Sequence, residues 1–286
     1  MNKEYIVTKN SGLLESLIEN IKDKSRNNIK AILKNGEVMV DGRIVKQFDH
    51  PLSIGQKISI KKYNNRDQTL KTMLDILYED DEIIVINKPA GLLTVATEKD
   101  ESVTVYHMLT KYVKLRNSRN RAFIVHRLDR DTSGVLLAAK NEEIRNAFQD
   151  RWDELALHRG YIAVVEGAPD KDKGIIRSFL KQGQPGVVFS TKESEGKEAI
   201  TEYAVIKENE SYAMLEISLH TGRKNQIRVH MKEMGHSVVG DKKYGATGNP
   251  MKRLGLHAHK LIVKHPFSGE EMCFEAKTPK EFNKLV

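Results

Sequence analysis

Apolar residues recur at helical spacing in Leu13, Leu14, Leu17, Ile18 and Ile21, and Ser11 stands where it would cap the helix they predict. A second helix is predicted from Ile29, Ile32 and Leu33, with Ser25 as its cap and Gly36 as its stop. The pattern then shortens to strand-sized runs. Val38-Met39-Val40 and Arg43-Ile44-Val45 flank Asp41-Gly42, a pair that supplies the positive φ angles of a type I′ hairpin turn. Pro51 to Ile60 reads as a closing strand. Two helices and a hairpin make a small α/β unit over residues 1–62. Lys61 to Lys71 is polar and without period, which places a linker at 63–73.

From residue 74 onward, strand-like runs dominate: Ile83 to Ile86, Phe123 to Val125, Val135 to Ala139, Tyr161 to Val165, Met214 to Leu219 and Leu261 to Val263. Three helical patterns interrupt them, at Val103 to Leu115, Glu142 to Leu155 and Gly222 to Met234. Runs of strands with few helices between them predict an α+β domain over 74–286, built on a mixed, largely antiparallel sheet rather than on βαβ winding. The acidic stretch Ser190 to Glu202 reads as a solvated hairpin surface.

With 39% hydrophobic residues in 286, the chain can bury a sizeable core, which excludes full disorder. The longest apolar runs, such as Val135 to Ala139, fall far short of the roughly 18 to 20 residues of a membrane helix. The opening residues lack a secretory apolar stretch, and a lone cysteine, Cys273, can form neither an internal disulfide nor a thiolate cage, so a cytoplasmic, reducing compartment is expected. Charge adds a partner class. Forty-seven Lys and Arg against 39 Asp and Glu leave a formal +8, with a pI near 9.3, a balance suited to a polyanion. The cations are clustered. Lys22, Lys24, Arg26, Lys30 and Lys34 surround the second helix, and seven basic residues stand between Lys111 and Arg130, among them Arg116, Arg119 and Arg121.

The segment His126-Arg127-Leu128-Asp129-Arg130-Asp131-Thr132-Ser133-Gly134 lies between two strand-like runs, where a rigid scaffold presents a loop. Asp129 stands between Arg127 and Arg130, an arrangement expected to lower its pKa and keep it ionised. It then suits a nucleophile or an electrostatic stabiliser better than an acid; the alternative for a loop aspartate is a turn cap. Strand spacing puts His257 and His259 on one face, but two imidazoles with no Cys or clear carboxylate partner fall short of a metal site. The arginines beside Asp129 and Asp131 compete with any magnesium for their carboxylates. No metal is expected.

The loop His126 to Gly134 resembles the H-R-L-D-x-x-T-S-G signature of the RluA family of pseudouridine synthases. The resemblance extends from about Leu74 to Ala276 through Asn87-Lys88-Pro89-Ala90-Gly91, Tyr161 to Gly167, Gly222 to His230, Gly240-Asp241-Lys242-Lys243-Tyr244-Gly245 and Leu256-His257-Ala258. Residues Leu14 to Ile60 similarly resemble the S-four-type RNA-binding domain.

This resemblance implies conversion of uridine to pseudouridine in RNA without a cofactor. Ribosomal RNA is the first expectation for the substrate and tRNA the second, with a monomeric protein. It also implies roles for matched positions: Asp129 as the catalytic aspartate, Tyr161 as the ring that stacks on the extracted uracil, Arg228 as the basic partner of the aspartate, and Arg127 as the side chain that enters the RNA stack. Without the match, Tyr161 would read as a core tyrosine and Arg228 as a solvated helix position. An ionised carboxylate fits cleavage of a glycosidic bond, which builds positive charge on the sugar. Arg130, Arg223, Lys224 and the two basic clusters are expected to contact RNA. The chain departs from the usual family pattern at Lys224-Asn225, where Thr-His is frequent. An RNA-binding factor without catalysis is the rival reading, and a magnesium-dependent hydrolase is another.

Overall fold

A computed structural model describes residues 3–22, 24–34, 37–60, 74–96, 103–183 and 186–286, with backbone alone at 3, 31 and 116. The proposed linker, the Gly36 stop and the side chain of Arg116 lie outside these. The chain divides into two compact units, Met1–Thr69 and Leu70–Val286.

The first unit contains β1 (Lys3–Ile6), β2 (Ser11–Gly12), α1 (Leu13–Asn20), α2 (Arg26–Lys34), β3 (Val38–Val40), β4 (Arg43–Ile44), β5 (Pro51–Leu52) and β6 (Lys57–Ile60). An antiparallel sheet in the order β1-β6-β3-β4 packs with both helices around Leu13, Leu17, Ile29, Leu33, Val38 and Ile58. Asp41 and Gly42 adopt φ of 49° and 81°, the turn their sequence predicts. The Ser25 cap also forms, accepting from the Asn28 amide at 3.4 Å. Two expectations fail. Ser11 does not cap α1; it pairs with Leu52 as part of β2. Pro51 to Ile60 is two strands rather than one, because Gly55 turns the chain at a φ of 90° and the Gln56 side chain accepts from the Ser53 amide.

The second unit contains β7 (Asp75–Glu79), β8 (Ile83–Lys88), α3 (Val105–Arg116), β9 (Phe123–Ile124), β10 (Ser133–Ala139), α4 (Glu142–Asp150), α5 (Trp152–Leu155), β11 (Ala156–Glu166), β12 (Lys173–Gln182), β13 (Val188–Thr191), β14 (Lys197–Glu208), β15 (Tyr212–Leu219), α6 (Gln226–Glu233), β16 (Leu256–Lys264), β17 (Glu271–Glu275) and α7 (Lys280–Leu285). Its sheet runs β13-β12-β14-β15-β11-β16-β10-β8-β7, with β9 on β10 and β17 on β16. Only β10 and β16 pair in parallel among the described strands, which makes the sheet mixed and largely antiparallel as the pattern predicts. At that parallel contact Gly134 holds a φ of +119°, and a Cβ there would lie 2.1 Å from the Ala258 carbonyl oxygen. No larger residue fits. Both faces of β8 and β10 are covered, so these strands read as unbroken apolar runs: Ile84, Ile86 and Leu136 face one core, Val85, Val135 and Leu137 the other.

Two further expectations change. The helix at Glu142 to Leu155 breaks at Arg151, and Trp152 turns to stack on His126. Ser190 to Glu202 is no mere surface hairpin: Ala199, Thr201 and Tyr203 of β14 are buried, and only the alternate positions are acidic. His257 and His259 take different partners on β16, which carries an extra residue between the pairs Gly160–Lys260 and Ile162–His257. His257 is buried against Ser133, whereas His259 faces Glu216.

Candidate active site

The loop between β9 and β10 that carries Asp129 is strapped down by main-chain carbonyls and three side chains. Lys88, fully buried, donates from Nζ to the carbonyls of Pro89, Leu92 and Arg130 at 2.8 to 2.9 Å. Thr94 Oγ1 donates to the Leu128 carbonyl at 2.9 Å and accepts from the Leu128 amide. His126 Nε2 accepts from the Leu137 amide at 3.0 Å. Burial, with the Arg159 charge adding to it, pushes the His126 pKa down to about 3, so the ring stays neutral and keeps that acceptor. Burial likewise lowers Lys88 to about 8, against the pull of Asp131 and Asp129.

These straps place Asp129 in a cavity of about 860 Å³ lined by Arg127, Arg130, Tyr161, Arg223, Lys224 and Arg228 among others. The Asp129 side chain keeps 32% of its surface open. The expected lowering of its pKa is not what the structure gives. Burial below the rim raises it, outweighing Arg228, Lys224, Lys243 and Lys88. Its sequence neighbours matter little: Arg127 is exposed, and Arg130 Nε faces Asp131 at 3.4 Å.

Arg228 projects from α6 and is 9% exposed, where an unmatched helix position would be solvated. Asp241 grips it in a fork, with Nε at 2.6 Å and Nη2 at 2.8 Å from the two carboxylate oxygens. Its Nη1 donates to Asn225 Oδ1 at 3.1 Å and stands 3.8 Å from Asp129 Oδ2. The Tyr244 ring lies under the guanidinium at 4.9 Å, and the Tyr244 hydroxyl accepts from Asn225 Nδ2 at 3.0 Å. Asn225, one of the two departures from the family pattern, thus supports the arginine. It does so from a left-handed conformation, φ 54°, that asparagine tolerates.

Tyr161 lies on β11 opposite the extra residue of β16, with Ile217 of β15 on its other side. Burial, reinforced by Asp129 and opposed by Arg159, pushes its pKa up to about 12. At neutral pH it offers an uncharged ring, suited to stacking on a flat apolar face.

Other candidates are placed differently. Arg223 and Lys224 are exposed at the rim, with Lys224 Nζ donating to Gln182. Arg119 and Arg121 are exposed and do not line the cavity; Arg121 spends Nη1 on carbonyls of its own turn. Lys22, Lys24, Arg26, Lys30 and Lys34 are exposed on the first unit. Asp241, Tyr244, Lys88, Thr94 and Arg159 are site residues beyond those the sequence predicts. Asp241, Tyr244 and Lys88 stand in motifs legible in the sequence, but their roles require knowing which groups meet in space.

A sequence profile of RNA pseudouridylate synthases matches residues 82–233. An RNA pseudouridine synthase of Aquifex aeolicus is 33% identical over 280 residues, spanning 92% of this chain and 89% of that protein. The ribosomal large subunit pseudouridine synthase D of Neisseria meningitidis serogroup A is 32% identical over 280 residues, spanning 92% and 75%. Among solved structures, human RNA pseudouridylate synthase domain containing 4 shares the fold, with a TM-score of 0.63 at 22% identity over 77% of this chain and 94% of that one.

Proposed function

Since the chain belongs to the RNA pseudouridylate synthase family and is an RNA pseudouridine synthase, an isomerase, we propose that its cavity accepts one uridine drawn from structured large-subunit ribosomal RNA, with Asp129 as the catalytic group. The observation that carries this reading is the meeting of Asp129, Tyr161 and Arg228 in one cavity, whose volume falls in the ~300–1,000 Å³ range of small-molecule sites. The likeness to a protein named for the large ribosomal subunit supports the choice of RNA.

Asp129 supplies negative charge at the sugar, where breaking the bond to nitrogen leaves the anomeric carbon electron-poor. Arg228, anchored by Asp241, favours the ionised carboxylate from 3.8 Å. Tyr161 stacks on the extracted base. Arg127, exposed at the rim, fills the space the uridine leaves, and Arg130, Arg223 and Lys224 meet phosphates. We read residues 1–62 as an S-four-type domain that docks RNA through the exposed cations of α2, in a monomer acting in the cytosol without a cofactor. No helix among the described residues is long and apolar enough to cross a membrane.

The test is to incubate the protein with unmodified large-subunit ribosomal RNA and with tRNA transcripts and to map pseudouridine in each. Conversion at discrete positions of the ribosomal RNA, with no base or phosphate released, is expected. Conversion of tRNA alone would overturn the substrate assignment, and conversion of neither would overturn the reading.

A further inference from the structure

We infer that Arg159 is a second catalytic residue, whose guanidinium binds the uracil and receives the negative charge that this base carries when its bond to the sugar breaks. The inference rests on the uridine-isomerising reading above and concerns a residue to which that reading assigns no part.

Arg159 and Tyr161 are two positions apart on β11 and both line the cavity. The Arg159 side chain is 11% exposed, yet it is poorly satisfied. Nη2 donates to the His220 carbonyl at 2.8 Å. Nη1 is 3.6 Å from Asp153, whose side chain is 85% exposed and so holds it weakly. Nε is buried with no hydrogen-bond partner among the described residues. A guanidinium has five donors, and leaving them unused out of water is costly unless something else completes them. A flat ligand bearing carbonyl oxygens does so. Backbone geometry makes room for the group: a Cβ on Gly222 would come within 2.9 Å of Arg159 Nη1.

Position then selects the partner. Asp129 has its ion partner in Arg228, whereas Arg159 reaches Asp153 and the His220 carbonyl. The cavity thus holds Asp129 beside Arg228 and, from β11, Tyr161 and Arg159 together. A nucleotide with its sugar at Asp129 and its base on the Tyr161 ring extends its carbonyl edge toward Arg159. When the C1′–N1 bond breaks, its electron pair stays with the base and spreads onto the two carbonyl oxygens, while C1′ becomes electron-poor beside Asp129. In the return step C5 bonds to C1′, C5 loses its proton and N1 gains one, so composition is unchanged. Arg159 binds the base more tightly as an anion than as a neutral ring, which is what accelerates cleavage.

The test compares full-length native protein with Arg159→Gln and Arg159→Lys, measuring single-turnover conversion and RNA affinity, with folding checked by thermal melts and Asp129→Asn run alongside. For Arg159→Gln, turnover is expected to fall roughly a hundredfold with RNA affinity nearly unchanged. Arg159→Lys is expected to recover much of that loss and to show a new alkaline limb, because a buried lysine gives up its proton where arginine does not. That limb also serves if the Gln variant fails to fold, since a packing role would create none. Native-like turnover in Arg159→Gln, a loss confined to affinity, or a Lys variant without the limb would overturn the inference. If the native protein converts no uridine, or if Asp129→Asn does so normally, the underlying reading fails instead.

Discussion

Two walls of one cavity each carry an arginine with 11% of its side chain exposed, and they are built in opposite ways. On the wall made by α6 and the turn at 240–245, Arg228 is forked by Asp241, braced by Asn225 and underlain by Tyr244. On the β11 wall, Arg159 has, among the described residues, one good acceptor, a distant exposed carboxylate and an Nε with no partner. A fully paired buried ion is part of the scaffold. A buried ion left short of partners fits a site that its ligand completes. The pair therefore separates what is assembled before RNA arrives from what RNA is proposed to finish.

The sharpest way to break this contrast is Asp241→Ala. Stranding a buried guanidinium costs about 3–5 kcal/mol, so urea unfolding should show a loss of that size, along with lost turnover. Arg159→Gln should cost far less stability, since it removes a group that is already under-paired. Next comes Lys88→Met, which leaves carbonyls of the Asp129 loop unpaired and should cost about 2 kcal/mol. It should also flatten a pH dependence. The folded protein gives up the Lys88 proton near pH 8 and the unfolded chain near 10.5, so the unfolded state binds more protons between these values and native stability rises with pH across them. The Met variant lacks this rise.

A smaller effect of opposite sign is expected at Asp129. Its pKa is raised in the folded state, so the native protein loses stability as pH climbs from the ordinary carboxylate value of 3.8 through the raised one. Asparagine escapes that loss, and thermal melts at neutral pH should show Asp129→Asn more stable than the native protein. Last, converting Arg26, Lys30 and Lys34 to Gln should leave stability nearly untouched. It should weaken RNA binding and make its salt dependence shallower, by about 0.7–0.9 in log–log slope per lost phosphate contact. An unchanged slope would remove α2 from the proposed RNA surface.

Much of this architecture is legible in the chain because local rules and tertiary context agree there. Asp41-Gly42 takes its turn, Ser25 caps its helix, and the buried strands β8 and β10 announce themselves as apolar runs. The misreadings arise where one pattern fits two structures. Ile144, Phe148, Trp152 and Leu155 keep helical spacing across a break at Arg151, and the acidic positions of β14 mask the buried alternates between them. At the site, adjacency in sequence misled. Arg127 and Arg130 flank Asp129 but do not set its charge, while burial and cations 41 to 114 residues away in the chain, Lys88 and Lys243 among them, do. Asp241 and Arg159 likewise acquire meaning only from distances.

The proposal that Asp129 performs the isomerisation is tested most directly by presenting native protein and Asp129→Asn with the same large-subunit ribosomal RNA, measuring binding and pseudouridine formation on each sample. The expected result is equal binding, with pseudouridine formed by the native protein and none by the variant. Native-rate conversion by Asp129→Asn would contradict the account.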